Sequence, residues 1–467
     1  MALGTRKNRE RQESLWVAVE EIKGGAAHPF YGRLNEILDE ARFDEFAEQA
    51  CGKFYSDKGR PGVAPGIYFR CQMVGYFEGL GSERGIAWRA ADSMSIRKFL
   101  GLGLDESVPD HSTISRTRRL IDLNTHEEVF GWAMKLIAAR GLVKANTVGV
   151  DATTLEANAA MKSIVRRDSG QSYEEFLKQL AKESGIETPT REQLAKLDRK
   201  RKKRMSNQDW TNPNDPDAKI TKMKDGRTHL AHKVEHAVDM ESGAIVGVTV
   251  QGANQGDTTT VVETLAKAGE TIAGTAQAVN SERAGELINP EGPAELVTDK
   301  GYHSNAVLVD LKRAGVRSYV PEPDRGRRNW DGKKAEKEAV YANRRRIRGV
   351  RGKRLLKKRG EYLERSFAHL YETGGMRRMH VRGRENVTKK VMMQAAAFNL
   401  SLAMRQELKF GTPRGLQGRK PGLWAFVFAT ISGLWRLWER IRGSWADIAL
   451  KSSFHGNAPR WSPVFGL

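Results

Sequence analysis

The sequence predicts an α/β domain with a mixed sheet, preceded by an all-α N-terminal domain. Apolar residues recur at close to the 3.6-residue helical period up to about residue 140. From about residue 146, short β-branched runs replace that pattern, and helical segments lie between them. Strands that alternate with helices after an all-helical stretch indicate an α/β domain joined to a helical one. A chain of 467 residues also has room for two or three domains.

The N-terminal domain, residues 1–140, is predicted to be helical throughout. Segments such as YGRLNEILDEARFDEFAEQA have one apolar face. In PDHSTISRTRRLIDL, Asp110 is a plausible helix N-cap, and the helix that follows is short and basic. Together with the preceding helix it is similar to a helix-turn-helix unit, although many helical bundles expose arginines without binding DNA. The candidate DNA contacts here are Arg116, Arg118 and Arg119.

The α/β domain, residues 141–410, is predicted to contain five strands. NTVGVDATT is the first, and AHKVEHAVDMESGAIVGVTVQG is a hairpin that turns at MESG. ELVTD and VRSYV are the next two strands. Helices are predicted at 258–268, 305–314 and 353–370. Residues 162–228 are polar and rich in turn residues, which predicts a helical insertion plus a loop outside the core.

Residues 411–467 form a tryptophan-rich tail. Its apolar run, 423–435, is shorter than the about 20 residues that a membrane-spanning helix needs. We predict a packing or dimerisation helix, with a helix on a membrane surface as the alternative. Cys51 and Cys71 lie among apolar residues, which indicates free thiols in a reducing compartment. The charged N-terminus lacks a secretory signal, so we expect a cytoplasmic, nucleoid-associated protein with no membrane partner.

Positive charge dominates the composition, with 78 Lys and Arg against 57 Asp and Glu, a net charge of +21. Such an excess favours a polyanionic partner, and nucleic acid is the commonest. The excess is concentrated in residues 325–359, which contain sixteen basic and three acidic residues. We therefore predict a DNA-binding surface there. Its candidate contacts are Arg344, Arg345, Arg346, Arg348, Arg351, Arg359 and Arg365, joined by Lys233 from the hairpin.

Motifs for nucleotide-driven chemistry are missing from the sequence. It contains no GxxxxGK[ST], no GxGxxG after a strand, no GxSxG and no CxxC. His229, His232 and His236 have the spacing of a helix face, which could suggest zinc. Their neighbours predict a strand instead, in which His229 points away from the other two.

Three acids lie where an α/β sheet could bring them together. Asp151 ends the first strand, Asp299 ends ELVTD, and Glu364 borders the apolar stripe of a helix. Strand ends meet at one rim of such a sheet, where ligands bind. Converging carboxylates repel one another unless hard divalent cations neutralise them, and two such ions about 3.5–4 Å apart can activate a water or a 3′-hydroxyl for attack on phosphorus. Taken singly, each acid could equally be a turn aspartate or a surface glutamate.

The motifs, as an ordered set, resemble the DDE-class transposases of bacterial insertion sequences. HPFYGRLNEILDEARFDEF, VAPGIYFRCQMVGYFEGLGSERGIAWR and PDHSTISRTRRLI are similar to the helical N-terminal domain of one large branch. VGVDATTLEANA, VTDKGYHS and YLERSFAHL, the last followed by RGRENVTKKVMMQAAAFNL, are similar to the three acidic motifs. The likeness covers nearly the whole chain before the tail.

This resemblance implies a ribonuclease-H-like catalytic domain. Asp151, Asp299 and Glu364 would be the catalytic residues and would bind two Mg²⁺ ions, with Mn²⁺ as a substitute. The implied partners are terminal inverted repeats, target DNA and a second copy of the chain in a homodimer. The implied activity is hydrolysis at the element ends and transfer of 3′-hydroxyls to target DNA. The alternatives are a repressor that has lost catalysis and a metal-dependent nuclease without strand transfer.

The sequence departs from the family pattern around the glutamate. Many relatives carry Tyr, Arg and Lys at fixed offsets, where this chain has Lys357, Gly360 and Tyr371. Arg359 or Arg365 could supply the missing contacts. Asp257, in NQGDTTT, matches an acid that recurs after the hairpin in such proteins, and the resemblance gives it no role.

Overall fold

The computed structural model describes residues 28–416, except 57, 60–61, 201–205, 224, 282–286, 325 and 327. Residues up to Arg414 belong to one compact unit, and Gly415 begins a second. The apolar run 423–435 and nearly all of the tryptophan-rich tail lie outside the described residues. Within the described range, no helix combines the length and the apolar character needed to cross a bilayer.

Among the described residues from 28 to 140, every regular element is a helix, as predicted. The helices are α1 Pro29–Glu40, α2 Phe43–Cys51, α3 Pro65–Glu78, α4 Glu83–Asp92, α5 Met94–Phe99, α6 His111–Leu120 and α7 Leu123–Ala139. The predicted cap at Asp110 is confirmed, because its Oδ1 accepts a hydrogen bond from Thr113 N at 2.6 Å. Such a cap satisfies a backbone N–H that has no partner within the helix. Cys51 and Cys71 are both buried free thiols.

The remaining described residues form an α/β structure. The strands are β1 Thr147–Glu156, β2 Val165–Arg166, β3 Trp210–Thr211, β4 Lys219–Lys222, β5 Thr228–Asp239, β6 Ile245–Gly252, β7 Glu295–Val297 and β8 Arg317–Tyr319. The helices are α8 Tyr173–Glu183, α9 Arg191–Lys200, α10 Asp257–Val279, α11 Asn305–Arg313, α12 Lys334–Arg348, α13 Val350–Ala368 and α14 Arg384–Leu408.

The main sheet has β1 at its centre. β1 is antiparallel to β5 and parallel to β7, while β6 runs antiparallel to β5 and β8 parallel to β7. The order β6-β5-β1-β7-β8, with α10 after β6 and α11 between β7 and β8, is the ribonuclease-H-like arrangement and confirms the predicted mixed sheet. Val148 and Val150 are completely buried, so β1 is anchored where its acid, Asp151, leaves the core.

The insertion at 162–228 contributes more to the core than the sequence indicated. It contains the predicted helices, α8 and α9, but β4 also pairs with β5 and so extends the main sheet. Ile164, Trp210 and Ile220 form a buried cluster with Leu230 of β5. The prediction that the insertion lies outside the core is therefore wrong for this part. Its few apolar residues are too far apart in sequence to produce a periodic pattern.

Helix α14 connects the helical and α/β parts. It packs against α3, α7 and β6, and it is buried around most of its circumference. The Asn399 amide donates to Ile245 O at 2.8 Å and accepts from Ile245 N at 2.9 Å, so it satisfies backbone groups at the start of β6. The division into domains at 1–140 and 141–410 stays a prediction, because both parts pack against this helix.

Candidate active site

Asp151 and Asp299 occupy equivalent positions along two neighbouring parallel strands, β1 and β7. The prediction that Asp151 ends its strand is wrong, because β1 continues to Glu156 through its pairing with β5, whereas Asp299 does lie beyond the end of β7. Gly149 of β1 is paired in register with Val297 of β7, and each aspartate follows its paired residue by two positions. Adjacent strands lie about 4.8 Å apart, and residues two apart point to the same face. The register therefore brings these two predicted acids to the same edge of the sheet.

Asp151 is half-buried in β1. Its Oδ1 accepts a hydrogen bond from Ala152 N at 2.8 Å, and its Oδ2 accepts one from Arg359 Nη2 of α13 at 2.8 Å. Burial raises the pKa of Asp151, the Arg359 charge opposes that rise, and the negative charges of Asp299 and Asp257 add to it. A neighbouring cation would relieve this repulsion.

Asp299 follows β7 and caps a short 3₁₀ turn, Lys300–Tyr302. Its Oδ1 accepts a hydrogen bond from Gly301 N at 2.8 Å. A side-chain carbon at Gly301 would lie 2.8 Å from Oδ2 of Asp257 and 3.0 Å from Oδ1 of Asp299. A larger residue here would displace one of the two carboxylates, so glycine allows both to lie beside the backbone. Asp257, the first residue of α10, is a third acid at this edge, and sequence reasoning gave it no role.

Glu364 lies on α13, which crosses β1 and β5. On this helix Phe367 stacks on His236, with ring centroids 4.5 Å apart, and His236 is the β5 residue directly paired with Asp151. Glu364 itself is exposed, and its carboxylate makes no hydrogen bond or ion pair with any described residue. The structure therefore brings Asp151 and Asp299 to one edge, but it does not bring Glu364 into contact with them.

The donor chemistry of this edge suits a hard divalent cation, because carboxylate oxygens are what Mg²⁺ and Mn²⁺ prefer. Burial is the main cause of the raised pKa of Asp151, and repulsion from Asp299 and Asp257, which a bound cation would reduce, adds to it. The arrangement is incomplete in this conformation, since Arg359 is bonded to Asp151. Within the described ranges, no three His, Cys, Asp or Glu side chains are grouped closely enough to bind one metal ion together.

Lys233 belongs to a buried polar network beneath this edge, which corrects its prediction as a phosphate contact. Its Nζ lies 2.6 Å from Oδ1 of Asp257, 2.9 Å from Glu235 Oε1 and 2.8 Å from Thr260 Oγ1. Glu235 is completely buried and also accepts a hydrogen bond from Tyr302 OH at 3.2 Å. Lys233 is 4% exposed, so its charge neutralises Glu235 and Asp257 and is not accessible to a DNA phosphate.

The basic residues of α6 divide into two kinds. Arg116 and Arg119 are exposed. Arg118 is buried, contacts Glu83 of α4, and donates from Nε to Asn386 Oδ1 of α14 at 3.2 Å. The prediction of Arg118 as a DNA contact is corrected accordingly, because a buried guanidinium that connects helices is not accessible to phosphate.

Several predicted arginines of α12 and α13 bond to acceptors within the fold. The pairs are Arg344 with Glu322, Arg346 with Ser318, and Arg351 with Glu295, at 2.6, 2.9 and 2.5 Å. Burial tends to raise the pKa of Glu295, but hydrogen bonds from Arg351, Thr147 and Tyr319 outweigh it and lower that pKa. Arg351 therefore anchors the start of α13 to β7. Arg365 is exposed, forms an ion pair with Glu361 one turn away at 2.6 Å, and lies over the Tyr362 ring at 5.7 Å from its centroid.

Arg345 and Arg348, at the end of α12, are exposed and have no acidic partner among the described residues. Three further cations of α13 are exposed as well, although the sequence did not single them out: Lys353, Arg354 and Lys357. The helix that carries Arg359 to Asp151 thus begins with a cationic surface. This surface, composed of Arg345, Arg348, Lys353, Arg354 and Lys357, is called the α12–α13 basic surface below.

A ribonuclease-H-like sheet with two aspartates beside β1 and β7 is typical of enzymes that act on nucleic acids. Comparison with protein families indicates the family within this class. Residues 20–120 match the transposase domain family DUF772, and residues 206–400 match the transposase DDE domain. No curated protein matches the chain. The chain therefore carries the two domain families of an insertion-sequence transposase of the DDE class, one in its helical part and one in its α/β part. A DDE domain implies an enzyme that acts on DNA, and such domains generally use divalent metal ions.

Proposed function

We propose that this transposase binds the terminal inverted repeats of its element, hydrolyses the DNA at their ends and joins the freed 3′-hydroxyls to target DNA. Asp151, Asp299 and Glu364 are the proposed catalytic residues and metal ligands. The observation that carries the proposal is the parallel register of β1 and β7, which brings Asp151 of β1 beside Asp299, two residues beyond the end of β7. Two acids brought together in this way suit a cation-dependent reaction at phosphorus.

Two Mg²⁺ ions, or Mn²⁺ in their place, would activate the attacking oxygen and stabilise the leaving oxygen when bound. The protein's own contribution is to position the carboxylates. Buried Val148 and Val150 fix β1, and the Gly301 backbone orients the Asp299 carboxylate. Glu364 completes the set after a movement of α13 that separates Arg359 from Asp151 and brings the glutamate to this edge.

The α12–α13 basic surface is proposed to bind the DNA backbone beside the acidic edge. Its cations are exposed and lie on the helices that lead to Arg359. Arg365 can join them, because an exposed ion pair one helical turn apart contributes only about 0.3–0.5 kcal/mol and is easily broken. Arg116 and Arg119 of α6 are proposed to contact the inverted repeat, which assigns DNA recognition to residues 1–140. Two copies of the chain would then hold the two ends together as a homodimer associated with the nucleoid.

The test is strand cleavage of a labelled DNA fragment that carries the element end, with Asp299→Ala and the control Asp310→Ala on α11. Asp310 is an exposed aspartate whose nearest cation, Arg313, is 3.8 Å away. Asp299→Ala should abolish cleavage and leave end binding within about twofold, because Asp299 is not part of the basic surface. Cleavage that survives Asp299→Ala would refute the assignment of the acids.

The same assay separates the two alternatives. A repressor derived from a transposase would bind the ends without cleaving them in any divalent metal. A nuclease without strand transfer would cleave them but yield no products joined to a supercoiled target plasmid. Our proposal requires joined products that disappear together with cleavage in Asp299→Ala.

A further inference from the structure

We propose that Asp257 is a further carboxylate of the metal site, positioned by Lys233 and acting beside Asp299. This inference rests on the proposed function, because it assigns Asp257 to the same metal site. It differs from the set Asp151, Asp299 and Glu364 in one respect: Asp257 already lies beside Asp299 in this structure, whereas Glu364 does not.

The first argument is the proximity of two carboxylate oxygens. Oδ2 of Asp257 and Oδ1 of Asp299 lie 2.8 and 3.0 Å from the position that a Cβ atom would occupy at residue 301. Their separation therefore cannot exceed the sum of those two distances. Like charges this close are unfavourable unless a cation or proton neutralises them. A divalent ion between them would remove the repulsion and would be ligated by oxygen.

The second argument is the way in which the two oxygens of Asp257 are used. Oδ1 accepts the Lys233 ammonium at 2.6 Å, and no described residue donates a hydrogen bond to Oδ2. The Asp257 side chain is 37% exposed, whereas Glu235 in the same network is 0% exposed, so Asp257 is accessible to an ion from solvent. Oδ1 of Asp257 is thus held by Lys233, while Oδ2 lies on the side of Gly301 and Asp299.

Lys233 is the positioning residue of this arrangement. It is 4% exposed and contacts both Asp257 and Glu235, while Glu235 accepts hydrogen bonds from Thr260, Thr264 and Tyr302. Because this network connects the middle of β5 to the first turn of α10, the Asp257 carboxylate has little freedom to rotate away. A metal ligand is preorganised by contacts of this kind.

The test measures Mn²⁺ binding to the full-length protein without DNA, from the loss of the free Mn²⁺ electron paramagnetic resonance signal. The variants are Asp257→Asn and Asp257→Glu, with Glu263→Gln as the matched control, an exposed acid on the same helix. Asparagine keeps an oxygen that can accept the Lys233 hydrogen bond, so the fold should survive. Asp257→Asn should weaken Mn²⁺ binding by about tenfold or more, Asp257→Glu should recover part of that loss, and Glu263→Gln should match the wild type.

A second experiment compares Mg²⁺ and Mn²⁺ as cofactors for a variant in which a cysteine thiolate replaces the Asp257 carboxylate. In Asp257→Cys, cleavage of element-end DNA should fall sharply with Mg²⁺ and return in part with Mn²⁺, because a thiolate accepts the softer ion better. Equal loss with both ions would refute a direct ligand role for Asp257.

The inference is overturned if Asp257→Asn binds Mn²⁺ as tightly as Glu263→Gln does. It is also overturned if Asp257→Glu fails to recover binding although its thermal unfolding matches that of the wild type, or if the wild type binds no Mn²⁺ at all. Failure of the proposed function has a different signature: a wild-type protein that binds Mn²⁺ through Asp257 but neither cleaves nor joins element ends.

Discussion

Replacing Lys233 by methionine should reduce the free energy of unfolding more than replacing almost any surface cation. The Lys233 ammonium lies 2.9 Å from Glu235 and 2.6 Å from Asp257, and Glu235 is completely buried. Methionine has a similar length but no charge, so it would leave the Glu235 carboxylate buried without its counter-ion. Removing one partner of a buried ion pair costs about 3–5 kcal/mol.

Lys267→Met is the matched control. Lys267 also contacts two acids, Glu127 at 3.5 Å and Glu270 at 3.1 Å, but its side chain is 43% exposed. Solvent screens such pairs, and their loss costs about 0–1 kcal/mol. Urea denaturation followed by circular dichroism should therefore give a much lower midpoint for Lys233→Met than for Lys267→Met at an unchanged slope.

The double variant Lys233→Met/Glu235→Gln separates buried charge from lost packing. Glutamine removes the uncompensated charge and can still accept hydrogen bonds from Thr260 and Tyr302. The double variant should therefore be more stable than Lys233→Met alone, with an interaction energy of about 1–3 kcal/mol. Equal stability of Lys233→Met and Lys267→Met, or a double variant as unstable as the sum of its parts, would refute the description of Lys233 as a buried counter-ion.

Three further predictions test the remaining assignments. Arg118→Ala should lower the melting temperature, because Arg118 is buried between helices, while Arg116→Ala should leave melting unchanged and weaken binding to the inverted repeat in a gel-shift assay. Burial lowers the pKa of His126 to about 4, below the unfolded value of about 6.5. The native state therefore binds fewer protons than the unfolded state and loses stability as pH falls from 6.5 towards 4. His126→Gln should flatten this pH dependence of the free energy of unfolding, measured by urea titrations at each pH. Arg345→Ala/Arg348→Ala should reduce the salt dependence of DNA binding by up to about two in the log–log slope, and an unchanged slope would contradict the proposed surface.

The parts of the fold that the sequence predicted best are those with a clear local signal. β1 and the β5–β6 hairpin contain β-branched residues and are buried over long runs, and α13 has one buried face at the helical period. Helix α12 was not predicted, because KAEKEAVYANRRRIR is largely polar. Its position depends on a tertiary contact instead: the buried Asn343 amide accepts from Val320 N at 3.0 Å and donates to Val320 O at 2.7 Å.

The candidate site was predictable only in part for a related reason. Asp151 lies within one recognisable strand, β1, and Asp299 follows another, β7, so their convergence follows from the parallel pairing of these strands. The roles of the basic residues depend on partners far away in sequence, and no local pattern reveals them. Arg118 bonds to Asn386, and Arg351 bonds to Glu295. Both arginines contribute to the basic composition but are used within the fold.

The role of each charged residue therefore depends on whether the fold provides it with a partner of opposite charge, and not on its residue type alone. A cation that has an acid in the core stabilises the fold, and a cation without one is available to phosphate. Lys233 is of the first kind, and Arg345 and Arg348 are of the second. The same reasoning applies to the acids. Glu235 is satisfied inside the protein, while Asp257 shares one oxygen with Lys233 and turns the other towards Asp299. An acid that is only half neutralised by the fold leaves part of its charge for a ligand, and this is the physical reason for expecting Asp257 to act in the metal site.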